Sequence, residues 1–286
     1  MYIYRHITMF FAIITLTIIP LDSNLITNQL SLAQGPDFPY PPPSPPPRAD
    51  LSPQQIASST NKTCTLTPSL IEIEGTPQQI EGPYFVDGIP SRSDIRSEPS
   101  NGLMQEGIPL HLVFNVYNVS NINTNGDKTC MPLERAKVDL WHANSQGMYS
   151  GVEQAGTGGL EYLRGYQITD ENGTVTFDTV YPGWYENRAI HIHLKVRDSE
   201  GPGKALEWTS QLYLNNSINE QVHSQPPYIS HGPPPMTNEE DFIFTGPSTD
   251  GLLKNNTGNH LMLNATKSDG GYTGTFNIGL NATIKP

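Results

Sequence analysis

Basic residues are what this chain has least of. Its 286 residues include 16 Lys and Arg against 28 Asp and Glu, a formal net charge of −12. No cluster of Lys and Arg stands out. A nucleic-acid partner is excluded on that ground, because phosphate backbones are held by grouped cations. Charged residues of both signs make up 15% of the chain, below the roughly 25% of an average globular protein. Helical periodicity is missing as well: no run of about ten residues carries apolar side chains at three- and four-residue spacing. Internal repeats are absent. What remains is a chain rich in Pro (26) and Gly (25), a composition that suits a loop-rich β protein.

Long apolar runs are also scarce, and the one that stands out lies at the start. Arg5 and His6 precede MFFAIITLTIIPL (9–21), which Pro20 and Asp22 close. A bilayer crossing takes about 20 apolar residues, so residues 1–33 read as a secretory signal peptide, with SLA ending at Ala33 as a cleavage site. An uncleaved anchor is the second reading; otherwise no membrane partner is expected of the mature form. Residues 34–63 form a proline-rich spacer around GPDFPYPPPSPPPRADLSP (35–53), which favours extended polyproline II and cannot pack a core. The two cysteines, Cys64 and Cys130, form a disulfide if the compartment is oxidising; two unrelated thiols are the other reading. Seven Asn-x-Ser/Thr triplets, at Asn61, Asn118, Asn172, Asn215, Asn255, Asn264 and Asn281, fit a secreted surface.

Residues 64–286 alternate at period two. PLHLVFNVYNV places Leu110, Leu112, Phe114 and Val116 on one face, and AKVDLW does the same with Val138 and Leu140. GTVTFDTV follows Asn172-Gly173, a hairpin signal. SQLYL, HLMLNAT and YTGTFNIGL continue the series. The expectation is an all-β domain: a β-sandwich of mainly antiparallel strands with long active-site loops and few short helices. No interface signature is visible from which to set an oligomeric state.

One stretch carries chemistry. In YPGWYENRAIHIHLKV (181–196), Ile192, Leu194 and Val196 point one way, and His191 and His193 the other, beside Lys195 and Arg197. Side chains two apart on a strand share a face, about 7 Å apart at the backbone. Two such imidazoles either converge on one ion or are plain surface histidines; the strand pattern leaves both readings open. No cysteine lies nearby and no HExxH pattern occurs. Tyr149, closing WHANSQGMY after the turn residue Gly147, and Tyr185, in YPGWY, are further donors. A phenol has an unperturbed pKa of about 10, so only a strongly Lewis-acidic ion ionises two at neutral pH, and ferric iron does this best. Ordinary half-buried tyrosines are the alternative.

Taken in order, EGPYF (81–85), RSDIR (92–96), VDLWHANSQGMYSG (138–151), YLRGYQITDENGTVTF (162–177), YPGWYENRAIHIHLKV (181–196) and TSQLYL (209–214) resemble the intradiol ring-cleavage dioxygenases, over roughly residues 64 to 280. The secreted, protocatechuate-type branch is the most similar in pattern, since the helical N-terminal domain of the catechol branch has no counterpart. The resemblance implies one non-haem Fe(III) per chain, with Tyr149, Tyr185, His191 and His193 as ligands. It implies Arg188 as the residue that stabilises charge on the substrate, and Gln211 as a pocket residue holding that arginine. Tyr84 would line the substrate mouth. A catecholic substrate and dioxygen would yield muconate-type diacids, the ring opening between its two hydroxyl-bearing carbons, with Tyr185 accepting a substrate proton. One departure is local: Asn144 and Ser145 replace the Asp-Ala pair of many secreted members. Trp141 and Trp184 read as core packing and His142 as structural or on the surface. Two other classes compete: a cupin-like metal oxidoreductase using the histidine pair, and a transthyretin-like secreted binding module without activity.

Overall fold

The structure is a computed structural model that describes residues 75–122, 128–198 and 206–280. The signal peptide, the spacer and Cys64 lie outside the described residues, so the Cys64–Cys130 pairing does too. Among the described residues nine strands carry the fold: β1 (Pro109–Ile122), β2 (Lys128–Pro132), β3 (Ala136–Trp141), β4 (Arg164–Ile168), β5 (Thr174–Val180), β6 (His191–Asp198), β7 (Glu207–Tyr213), β8 (Asn264–Ser268) and β9 (Gly271–Leu280). Two short α-helices, α1 (Asn216–His223) and α2 (Phe242–Thr245), lie between β7 and β8. Among the described residues no helix is long and apolar enough to cross a membrane.

The alternation read from the sequence is the alternation that is buried. One sheet runs β2-β1-β9-β8 with β5 also paired to β1; the other runs β4-β3-β6-β7. Leu110, Leu112, Phe114 and Val116 of β1, Val175 and Phe177 of β5, Val138 and Leu140 of β3, and Ile192, Leu194 and Val196 of β6 meet in one core. Each such side chain contributes about 1.5–3 kcal/mol by leaving water. Pairing is antiparallel throughout both sheets except between β1 and β9, which run parallel in the register Leu110↔Tyr272 to Asn118↔Leu280. This is the expected all-β sandwich with few short helices.

The Asn172-Gly173 signal is corrected. A tight turn is present, with the Gly173 N–H donating to Asp170 O and Gly173 at φ 72°. It does not close a hairpin: β4 pairs with β3, whereas β5 pairs with β1 from Pro109↔Val180 to Asn115↔Thr174. The turn sets a local reversal, but the partner is chosen by which apolar face must be covered, and the chain crosses from one sheet to the other here.

The core faces of β3 and β6 leave their opposite faces for chemistry. On that outer face β6 presents His191, His193, Lys195 and Arg197. The segment 76–87 runs across it, with Lys195 Nζ 2.5 Å from Glu81 and Arg197 Nη2 2.9 Å from Asp87. Phe85 lies between the two cations and the Trp141 ring.

Candidate active site

Two loops bring the tyrosines to this face. In the first, Asn144 Oδ1 accepts the N–H groups of Gln146 and Met148, both at 3.0 Å, and Gly147 adopts φ 76°. The Asn that replaces the family's Asp therefore folds the turn that presents Tyr149. In the second, the Gly183 N–H donates to Asn144 O at 3.0 Å, which locks the YPGWY segment onto the first loop. A Cβ on Gly147 would stand 2.0 Å from Trp184 O; only glycine permits both the turn and this approach.

Four side chains converge. His191 Nε2 is 3.1 Å from His193 Nε2 and 3.2 Å from the Tyr185 hydroxyl. The Tyr149 ring is 5.6 Å from that of Tyr185 and 6.0 Å from that of His193. His191 Nδ1 lies 2.6 Å from Ala189 O; with the proton there, Nε2 keeps its lone pair free for the centre. The Trp141 ring is stacked on His193 at 4.9 Å with a 7° tilt, so the expected core tryptophan is also a wall of the site. His142 is buried and bonded to Thr179 and Ala143, which leaves the structural one of its two expected roles.

Burial sets the protonation of the cluster. It holds His191 and His193 well below the ordinary histidine range, and the Arg188 cation pushes in the same sense. It raises Tyr149 well above the ordinary phenol, helped by the Tyr185 phenol beside it, and raises Tyr185. The Tyr149 hydroxyl is buried with no hydrogen-bond partner, an unusual state for a polar group. Two imidazole lone pairs and two phenols, one with its oxygen unpartnered, fit a strongly Lewis-acidic cation. Among the described residues no group of three or more His, Cys, Asp and Glu side chains is arranged to hold a metal.

Arg188 reaches into the cluster, with Nη1 3.3 Å from the Tyr185 hydroxyl. Its Nη2 donates to Gln211 Oε1, and Gln211 Nε2 donates to Ile80 O at 2.9 Å. Tyr84 stacks on Tyr149 with centroids 4.5 Å apart. Every residue singled out for the site is thus brought to one place.

Sequence reasoning missed Asp241. This residue is wholly buried; its Oδ2 accepts from Arg188 Nε (2.9 Å) and the Ala189 N–H (2.8 Å), and its Oδ1 from the N–H groups of Ile243 (2.7 Å) and Phe244 (3.3 Å). An Asp before an apolar run is a helix-cap signal, but nothing in that signal points to an arginine 53 residues upstream.

A family model described as "Dioxygenase" matches residues 80–219, which holds every residue of the cluster. A catechol 1,2-dioxygenase of Acinetobacter baylyi is 36% identical over 144 residues, 42% of each chain. One of Candida albicans is 30% identical over 141 residues, again 42% of each. The chain therefore spans less than half the length of these curated relatives. An intradiol ring-cleavage dioxygenase from Tetranychus urticae superposes with a TM-score of 0.59 at 28% identity, covering 78% of this chain and 98% of that one. In its motifs, its two-sheet fold and these matches, the chain is similar to the intradiol ring-cleavage dioxygenases.

Proposed function

We propose that the protein opens catecholic rings between the two hydroxyl-bearing carbons, yielding muconate-type diacids, with one ferric ion held by Tyr149, Tyr185, His191 and His193. The observation that carries this reading is the convergence of two phenols and two imidazoles, one buried phenol oxygen having no protein partner. Ferric iron, when bound, supplies the Lewis acidity that ionises the phenols and the catechol and draws electron density from the ring. Tyr185 is the more exposed of the two tyrosines, so it is the one with room to swing aside and take a substrate hydroxyl proton at its own oxygen. Arg188 holds a fixed cation where negative charge grows on the substrate, and Gln211 and Asp241 fix its two ends. Trp141, stacked on His193, and Tyr84, stacked on Tyr149, cover the cluster with aromatic rings. A signal peptide over residues 1–33 would carry the enzyme out of the cell.

The test is direct. The purified chain supplied with iron is expected to bind one ferric ion, to be coloured by phenolate-to-iron charge transfer, and to consume oxygen with a panel of catechols. Tyr185→Phe is expected to change the colour and abolish ring opening. A colourless protein, or ring opening that survives in Tyr185→Phe, sinks the proposal and favours the binding-module reading or another metal.

A further inference from the structure

One strong feature near the site has no role in the chemistry above. Arg164 opens β4, opposite Trp141 of β3, and is 2% exposed. Its guanidinium donates from Nε to Ser150 Oγ at 2.8 Å, from Nη2 to Ser150 O, and from Nη1 to Tyr84 O at 2.6 Å. All three acceptors are neutral, and among the described residues no carboxylate is paired with it. Burial lowers its pKa to about 10, which still leaves it a cation at neutral pH. A buried charge without a counter-charge is costly, and packing alone would be served by an apolar residue of similar length.

What the three bonds join is informative. Ser150 follows Tyr149 directly, and its own hydroxyl donates to Tyr162 O at 2.6 Å. Tyr84 belongs to the segment that crosses the outer face of the sheet, and its ring lies on that of Tyr149. Without Arg164 the two segments would meet here through packing alone, Tyr84 on Tyr149 and Val86 beside Gly151. We propose that Arg164 is a positioning residue: its rigid fork bolts the Tyr149 loop to the Tyr84 segment and so fixes the Tyr84 ring against Tyr149, beside the cluster where a catechol would bind. This rests on the functional reading above, and it assigns to Arg164 the affinity for substrate rather than the hold on iron.

The experiment uses the iron-loaded full chain and compares Arg164→Lys, Tyr84→Ala and the double variant. Lysine keeps the charge but cannot bridge the two segments. Arg164→Lys is expected to bind one iron per chain with the wild-type colour. The Kd for catechol, titrated anaerobically through the visible spectrum, and the KM are expected to rise about tenfold, the loss of one charge-assisted hydrogen bond, with kcat changed far less. In the Tyr84→Ala background the same substitution is expected to leave Kd unchanged. Wild-type Kd and KM in Arg164→Lys, a loss confined to kcat, or an equal loss in both backgrounds overturns the proposal. If Arg164→Lys does not fold, Ser150→Ala carries the same test: it removes one acceptor, and a raised Kd supports the proposal while an unchanged one overturns it. A wild-type chain that binds no iron and opens no ring overturns the functional reading too, and this is seen before any variant is made.

Discussion

Replacing Asp241 by Asn keeps the shape of a buried side chain and removes its charge. Asp241 accepts four hydrogen bonds, two on each oxygen. An amide has one oxygen, so its NH2 must face two donors: either Arg188 Nε and the Ala189 N–H, or the two N–H groups that start α2. Arg188, with a side chain only 11% exposed, loses its counter-charge as well. Breaking a buried ion pair by removing one partner costs about 3–5 kcal/mol, which for a domain of this size lowers Tm by about 10 °C. The same change frees the Nε end of Arg188, and a displacement of about 1 Å at such a group lowers kcat/KM by about a hundredfold. Thermal unfolding followed by circular dichroism and oxygen uptake with catechol measure the two effects. A variant with wild-type Tm would show that the pair contributes nothing to stability. One with lowered Tm but wild-type kcat/KM would show that Asp241 does not act on the site through Arg188.

Three further outcomes follow from the same geometry. Tyr149→Phe removes a buried hydroxyl that has no partner, so the iron-free protein is expected to be as stable as wild type or more so, by about 1 kcal/mol, while the iron-loaded protein loses its wild-type colour; chemical denaturation with and without iron reads both. Burial holds His142 down at about 4 against an ordinary 6.5. Between those pH values the unfolded chain therefore binds a proton that the folded chain does not, and stability falls as pH falls, by about 3 kcal/mol in full. Urea titrations of the iron-free protein from pH 7 to about 4 are expected to show a shallower decline in His142→Gln. Gly147→Ala places a methyl against Trp184 O at a residue with φ 76°; a loss of about 2–4 kcal/mol and of iron binding is expected, checked by Tm and metal content, and a wild-type result refutes the interlocked loops.

Much of the site was legible because strand parity is a local property. His191 and His193 face away from Ile192, Leu194 and Val196 whatever the rest of the chain does, and the structure buries the apolar set in the core. Gly147 was readable as a turn residue for the same reason, whereas Asn144 stood out only as a departure from the pattern. Arg188, Gln211 and Tyr84 were placed by ordered motifs. Asp241 and Arg164 were not visible, because their partners lie far away in sequence and no spacing rule connects them. Trp141 was readable as buried but not as the ring stacked on His193, since burial says nothing of which neighbour is touched.

From its residues alone, then, this chain determined its β character, the faces of its strands and the turns that shape its two tyrosine loops, since each follows from contacts among residues a few positions apart. The folded molecule decided which strands pair, sending β5 to β1 rather than to β4, because whole apolar faces compete for cover. It also decided that a carboxylate from the start of α2 meets Arg188 and that a buried guanidinium ties Ser150 to Tyr84. Those contacts exist only once the two sheets have closed on each other and the long segments between strands have been laid across the outer face.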